Sequence, residues 1–275
     1  MFLVTGATGN VGRQVVELLL DAGARVRALS RRPETAGLPD GVEVVAGDLQ
    51  RPESAGSALE GVQGLFLFPA PGGLDGFLRA AKEAGTERVV LLSASAVGSE
   101  EAGPLGRAHA ECEQAVRASG LPWTVLRPGA FMVNDLRWAP AVRGDGVVRA
   151  PFARAVTSPI DERDIAAVAT RALLDDAHTG ATLELSGPQA LTPVERVRIL
   201  GEVLGRELRF EEQSPEQARA EWTKHAPAEI VDGSLSLYAS LVDAESPVLD
   251  TVERVTGRPP TRYAQWAARH AADFV

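Results

Sequence analysis

Short apolar runs and amphipathic stretches take turns through the first half of the chain. Phe2 to Thr5 (FLVT) is a strand-like run, and behind it Val11, Val15, Leu18 and Leu19 recur at helical spacing until Gly23. That spacing predicts a helix with one buried stripe, ended by the glycine. A second strand is expected over residues 25–29. A short buried strand should end at Asp48 (GVEVVAGD), and others should cover 64–68 (GLFLF), 87–95 (ERVVLLSAS) and 121–129 (LPWTVLRPG). Helices are expected between them at Pro52–Glu60, with proline in the first turn, at 74–85 and at 106–120. Continuous apolar strands such as 64–68 suit a sheet covered on both faces. The alternation predicts an α/β fold, a Rossmann-type doubly wound parallel sheet with right-handed crossovers.

Beyond residue 130 the rhythm loosens. A turn and strand are expected at 143–151, a helix at 158–176 capped by Asp161 or its neighbour, a strand at 180–187, and a helix at 191–205 capped by Thr192. The last sixty residues read as helices interrupted by prolines. This pattern divides the chain into a nucleotide-binding domain, 1–130, and a smaller C-terminal substrate lobe, 131–275, interleaved with the end of the sheet.

The turn between the first strand and first helix carries the clearest chemistry. Gly6-Ala7-Thr8-Gly9-Asn10-Val11-Gly12 places three glycines where a βαβ unit holds a dinucleotide. Glycine permits the tight turn, lets backbone approach a pyrophosphate and leaves room for the helix against the sheet. The helix N-terminus offers unpaired N–H groups to the phosphates. A side chain at Gly9 should therefore block binding and one at Gly12 should push the helix outward, with modest changes at either tolerated by the fold. The second strand ends in Ser30-Arg31-Arg32 and lacks the carboxylate that binds a ribose 2′-hydroxyl in NAD sites. Two guanidiniums there suit a 2′-phosphate, so NADP (as NADPH) is the expected cofactor; the other reading is that both are solvated loop charges. Asp48 and Leu49 should lie near the adenine, unless Asp48 caps the following turn. Phe68, Pro69 and Ala70, ending the fourth strand, should line the cleft by backbone contact.

Composition narrows the class. The chain has 275 residues, 45% of them hydrophobic, which is ample for a core, and a formal net charge of −9. That charge, without a lysine/arginine-rich stretch, argues against nucleic acid as a partner. A single cysteine, Cys112, excludes an intrachain disulfide and suits a reducing compartment. No apolar run reaches the roughly 18 residues a membrane span needs. With the first strand beginning at residue 2, no secretory leader is expected, and the cytoplasm is the expected location. Cys112 follows His109 by three residues, but with four dispersed histidines and no second cysteine no metal site is expected.

The stretches VTGATGNVG, LSRRPE, VVAGDL, VVLLSAS, HAECEQAVRASGLPWTVLRPGAFMVN, PIDERDIA and TGRPPTRYAQWAARH resemble the NmrA-like, atypical short-chain dehydrogenase/reductase family over nearly the whole chain. The resemblance implies a Rossmann fold, an NADP(H) site and relatives that include quinone oxidoreductases, dye reductases and non-catalytic NADP(H) sensors. The wider superfamily uses Ser, Tyr and Lys, with the tyrosine exchanging a proton with substrate. Counting back from Ser119-Gly120 puts Leu105 at the tyrosine position and His109 at the lysine position, so that proton donor is missing. Ser95 matches the catalytic serine, with Ser93 nearer the cofactor; Ser95 reads either as a donor to a substrate oxygen or as a strand-end serine. His109 reads as a ribose ligand or proton donor, or as a partly exposed helix histidine. Pro128 and Gly129 should shape the wall beside the nicotinamide. Phe131, Met132 and Asn134 should meet the substrate, with core packing the other reading for Phe131 and Met132. The expected function is NADPH-dependent reduction of a quinone-like or otherwise conjugated small molecule. The alternatives are an NADP(H)-binding redox sensor acting through a protein partner, and a reductase or isomerase of a specialised biosynthetic pathway. A homo-oligomer is compatible with the sequence.

Overall fold

Seven parallel strands form the central sheet in the order β3-β2-β1-β4-β5-β6-β8. They are β1 (Phe2–Thr5), β2 (Val26–Ser30), β3 (Glu43–Ala46), β4 (Gly64–Leu67), β5 (Arg88–Leu92), β6 (Trp123–Pro128) and β8 (Thr182–Leu185). The computed structural model describes residues 1–51 and 56–275. The helices are α1 (Asn10–Asp21), α2 (Leu74–Glu83), α3 (Gly103–Ala118), α4 (Ala139–Arg143), α5 (Glu162–Leu174), α6 (Pro193–Leu204), α7 (Pro215–Trp222), α8 (Ala228–Ser240), α9 (Thr251–Thr256) and α10 (Tyr263–Arg269). One apolar layer packs α1 and α5 on one face of the sheet through Val15, Val16, Leu19, Ile165 and Ala169. The other face carries α2 and α3 over Leu65, Leu67, Val89 and Leu91. The continuous apolar run at 64–67 is fully buried because both faces are covered.

The chain beyond residue 130 does not stay apart from the sheet. β8 adds to β6, and α5 lies against α1. A third apolar cluster gathers Met132, Trp138, Val142, Leu200, Tyr263, Trp266 and Phe274 beyond the sheet. Asp161 caps α5 by accepting from the Arg163 N–H at 3.0 Å, and Thr192 and Glu195 close a capping box on α6.

Three sequence expectations need correction. β3 is half exposed rather than buried, because it is the edge strand and pairs only with β2. The helix expected over Pro52–Glu60 falls partly outside the described residues; what is described is a single 3₁₀ turn, Ser57–Leu59. There the buried Arg27 guanidinium collects the carbonyls of Ser57, Ala58 and Glu60 at 2.8–3.3 Å, acceptors that a continuing helix would use internally. Finally, β7 (Val147–Ala150) pairs with an unexpected strand, β9 (Arg209–Glu212), in a separate parallel ribbon. Its sequence, RFEE, has no strand pattern, since three of its four side chains are exposed and charged.

Candidate functional site

The sheet order reverses between β1 and β4, which makes their C-terminal ends the topological switch point where open α/β sheets bind ligands. Thr5 clasps the two strands there. Its hydroxyl donates to the Phe66 carbonyl at 3.1 Å and accepts from the Phe68 N–H at 2.7 Å. An open cleft of about 500 Å³ starts at this point. It brings together Gly6, Thr8, Arg31, Arg32, Asp48, Leu49, Phe68, Pro69 and Ala70, nine positions that the sequence assigned to the cofactor.

Gly6 has φ +62°, and an added Cβ would lie 2.9 Å from the Cβ of Phe68. Only glycine fits that turn. The Gly9 N–H closes the turn on the Gly6 carbonyl at 2.9 Å, and α1 starts at Asn10 without a side-chain cap or an acidic residue in its first turn. Its first N–H groups are therefore open to an anion. Asn10 is exposed, whereas the Val11 side chain is buried in the core, so Val11 contributes its backbone alone. Gly9 and Gly12 are not equivalent. A Cβ on Gly9 would meet the Gly6 carbonyl oxygen at 3.3 Å, but one on Gly12 would lie 2.2 Å from that oxygen and 3.0 Å from the Ala7 Cα. The expected tolerance of the fold holds at most for Gly9. At Gly12 the obstacle is backbone.

Arg31 and Arg32 are exposed on the rim, and neither guanidinium has an ion-pair partner among the described residues. Asp48 accepts from the Gln50 N–H at 3.1 Å, the loop-capping alternative, while still lining the cleft. The exposed face of Phe68 stands on the opposite wall.

The remaining candidates continue along the same edge of the sheet, outside the cleft itself. The Ser93 hydroxyl does not face a ligand: it is buried and donates to Glu113 of α3 at 2.7 Å. Glu113 also accepts two bonds from Arg127 at 2.8 Å and one from Arg117 at 3.2 Å. Burial alone would push the Glu113 carboxyl up, but the hydrogen bonds from Arg127, Ser93 and Arg117 hold it below its ordinary value. This network ties α3 to β5 and β6. The sequence reading missed it, although the i,i+4 pair Glu113/Arg117 was a visible signal. Ser95 lies two residues beyond Ser93, with its N–H on the Pro128 carbonyl at 2.9 Å and its side chain exposed.

His109 sits one helical turn before Glu113, about 5.4 Å further toward the edge where ligands bind. Its Nδ1 is enclosed without a hydrogen-bond partner, and Glu113 has no oxygen to spare for it. Burial pulls the imidazole pKa below its ordinary value, against an opposing pull from Glu113. An enclosed, unpartnered ring nitrogen costs about 1–3 kcal/mol. The open α1 terminus and the glycine cradle fit a bound dinucleotide.

Pro128 is buried and Gly129 donates to the Leu185 carbonyl at 3.0 Å, so the β6 end is fixed beside β8. An added Cβ on Gly129 would make only ordinary contacts, and nothing there requires glycine sterically. After it comes a 3₁₀ segment, Met132–Trp138, preceded by Phe131. Three residues per turn put Met132, Asp135 and Trp138 on one face, and all three are buried. Met132 is thus in the core, the packing alternative, rather than a substrate contact. Phe131 is half-buried and Asn134 exposed, on the other face. Asp135 is held from far along the chain: it accepts from Arg196 with both oxygens at 2.8 Å and from the Tyr263 hydroxyl at 2.8 Å.

These features match known proteins closely. A family model described as NAD(P)H-binding covers residues 6–176. The (4-alkanoyl-5-oxo-2,5-dihydrofuran-3-yl)methyl phosphate reductase of Streptomyces griseus is 42% identical over 280 residues, spanning 100% of this chain and 99% of its own. The NAD(P)H azoreductase of Xenophilus azovorans is 37% identical over 283 residues, spanning 100% and 99%. The structure of an NADPH-dependent quinone oxidoreductase from Escherichia coli complexed with NADPH superposes with a TM-score of 0.83 at 25% identity, covering 98% of this chain and 99% of that one. The chain belongs to the NAD(P)H-binding family, of the NmrA-like, atypical short-chain dehydrogenase/reductase type.

Proposed function

We propose that this protein is an NADPH-dependent reductase that delivers hydride to electron-poor, conjugated small molecules. One observation carries the choice of acceptor: the position that the resemblance matches to the superfamily's proton-donating tyrosine is not a tyrosine. Position 105 is leucine. Of the two tyrosines, Tyr263 is fully buried and committed to Asp135, and Tyr238 lies on α8, which packs against α3 but is not the helix that carries position 105.

When bound, the cofactor supplies the hydride. The Gly6–Gly9 turn and the α1 terminus would hold its pyrophosphate, Arg31 and Arg32 would favour a 2′-phosphate, and His109 would stand toward its ribose. Hydride addition to a simple ketone leaves a strongly basic alkoxide, and loss of a positioned acid costs about 10²–10⁴-fold. Addition to a quinone, azo group or enone spreads the charge over a conjugated system, so placement and one hydrogen bond from Ser95 suffice, with the proton taken from solvent. The names of the relatives support this reading, since a dihydrofuranone carrying an alkanoyl group, an azo compound and a quinone are all conjugated acceptors.

The test is loss of NADPH absorbance with a panel of quinones, azo dyes and acyl butenolides against unactivated ketones. Conjugated acceptors should be turned over at least about 100-fold faster. Faster turnover of a plain ketone overturns the argument from Leu105. Tight NADPH binding with no turnover of any acceptor makes the protein a sensor.

A further inference from the structure

The 3₁₀ segment after β6 has a third member on its open face. With three residues per turn, Phe131, Asn134 and Arg137 stand in one column, opposite the buried Met132, Asp135 and Trp138. Asn134 and Arg137 are both exposed. Phe131 follows the strand end that Ser95 touches through the Pro128 carbonyl, so the column begins next to that strand end. At about 2 Å of rise per residue, Arg137 lies about 12 Å along it from Phe131.

Arg137 makes no ion pair or hydrogen bond among the described residues, in a chain whose net charge is −9. The carboxylate two residues away cannot serve it, because both oxygens of Asp135 are taken by Arg196 and Tyr263. Its guanidinium instead lies over the Trp222 ring of α7, 5.5 Å from the centroid. This cation–π contact holds the guanidinium in place without using its N–H donors, which can grip an oxyanion with two parallel hydrogen bonds. We infer that Arg137, assisted by Asn134, binds an anionic group, phosphate or carboxylate, at the end of the substrate remote from the reacting bond. The inference rests on the reductase reading and gives it a substrate class: a flat conjugated head near Phe131 with an oxyanion about 12 Å away.

The experiment is a calorimetric titration of the NADP⁺-loaded protein with non-reducible aromatic ligands whose chain spans about 12 Å: 7-(1-naphthyl)heptyl phosphate, 8-(1-naphthyl)octanoate and the neutral 7-(1-naphthyl)heptan-1-ol. The native protein should bind at least one anionic ligand about 10- to 100-fold more tightly than the alcohol, the range for charge-assisted hydrogen bonds. The tighter of the two identifies the oxyanion. In Arg137→Gln the ratio should fall to near one, and Arg137→Lys, which keeps the charge, should restore part of it. Equal affinity for all three ligands in the native protein overturns the inference, as does a preference that survives in Arg137→Gln. No acceptor is reduced in this titration, so its outcome is independent of the turnover panel.

Discussion

The β1–α1 turn and the 3₁₀ segment after β6 both follow the C-terminal end of a strand, and both line one edge of the sheet. They are built in opposite ways. The first is backbone: Gly9 and Gly12 both close on the Gly6 carbonyl within seven residues, and the first N–H groups of α1 are left open. The second is held by side chains from far away, with Arg196 lying 61 residues from Asp135 and Tyr263 lying 128. Local geometry tolerates few residues but needs no partners. Long-range anchoring leaves the exposed column free to vary while the buried column keeps it in place. The glycine turn is thus fixed by its own backbone, and the exposed column that we propose meets the substrate is free to vary on a fixed footing.

Removing the footing should have the largest effect. Asp135→Ala leaves the buried Arg196 without a counter-charge and Tyr263 without an acceptor. Breaking a buried pair from one side costs about 3–5 kcal/mol, so the melting temperature should fall by roughly 10 °C. A calorimetric scan showing a drop under about 3 °C would mean that the segment is anchored by apolar packing alone.

The glycine turn can be broken in two distinguishable ways. Gly12→Val drives a side chain into the Gly6 carbonyl, where backbone must move, and should cost about 3 kcal/mol of stability. Gly9→Ala meets the same oxygen at 3.3 Å and should cost less than about 1 kcal/mol, yet weaken NADPH binding by crowding the pyrophosphate. Urea denaturation and nucleotide titration separate the two. Equal loss of stability in both variants would contradict the geometry.

These two regions also show what was legible beforehand. Gly6, Gly9, Arg31, Arg32 and Phe68 were readable because strand, turn and helix follow within a few residues and each step has a local signature. Caps at Asp161 and Thr192 were readable for the same reason. Met132 was left between substrate contact and core packing because a 3₁₀ turn, with period three rather than 3.6, cannot be told from a loop in FMVNDLRW. Arg137 and Asp135 escaped notice because their partners, Trp222, Arg196 and Tyr263, are joined only by the fold. Ser93 was placed on the right strand end, but its rotamer is decided by a carboxylate twenty residues on.

The cofactor half also has its own charge test. Replacing Arg31 and Arg32 by alanine removes two rim guanidiniums that have no ion-pair partner among the described residues. NADPH affinity should fall by about 1–3 kcal/mol, the range for charged hydrogen bonds, and NADH affinity should stay nearly constant. Isothermal titration of both nucleotides checks it, and equal affinities in the native protein would leave the arginines as solvated charges.

The smallest expected effect has the most informative sign. His109 keeps Nδ1 enclosed without a partner, so in the absence of nucleotide the ring works against the fold. His109→Leu removes that polar atom and keeps most of the volume. Its stability without ligand should be unchanged or up by less than about 1 kcal/mol, because deleting an unsatisfied group relieves its desolvation. The stabilisation produced by saturating NADPH should shrink in the same variant, because the ligand no longer finds that nitrogen. The pH dependence follows from the imidazole pKa, which burial lowers. Neutral His109 is compatible with the fold above the ordinary value near 6.5, and stability drains away as the pH falls below it through the lowered value. His109→Leu should flatten that limb of the stability curve. Thermal scans with and without NADPH, at pH 7.5 and at pH 5, contain both readouts. A variant clearly less stable without ligand, with its NADPH shift intact, would make His109 a packing residue and leave the cofactor half resting on backbone and arginines alone.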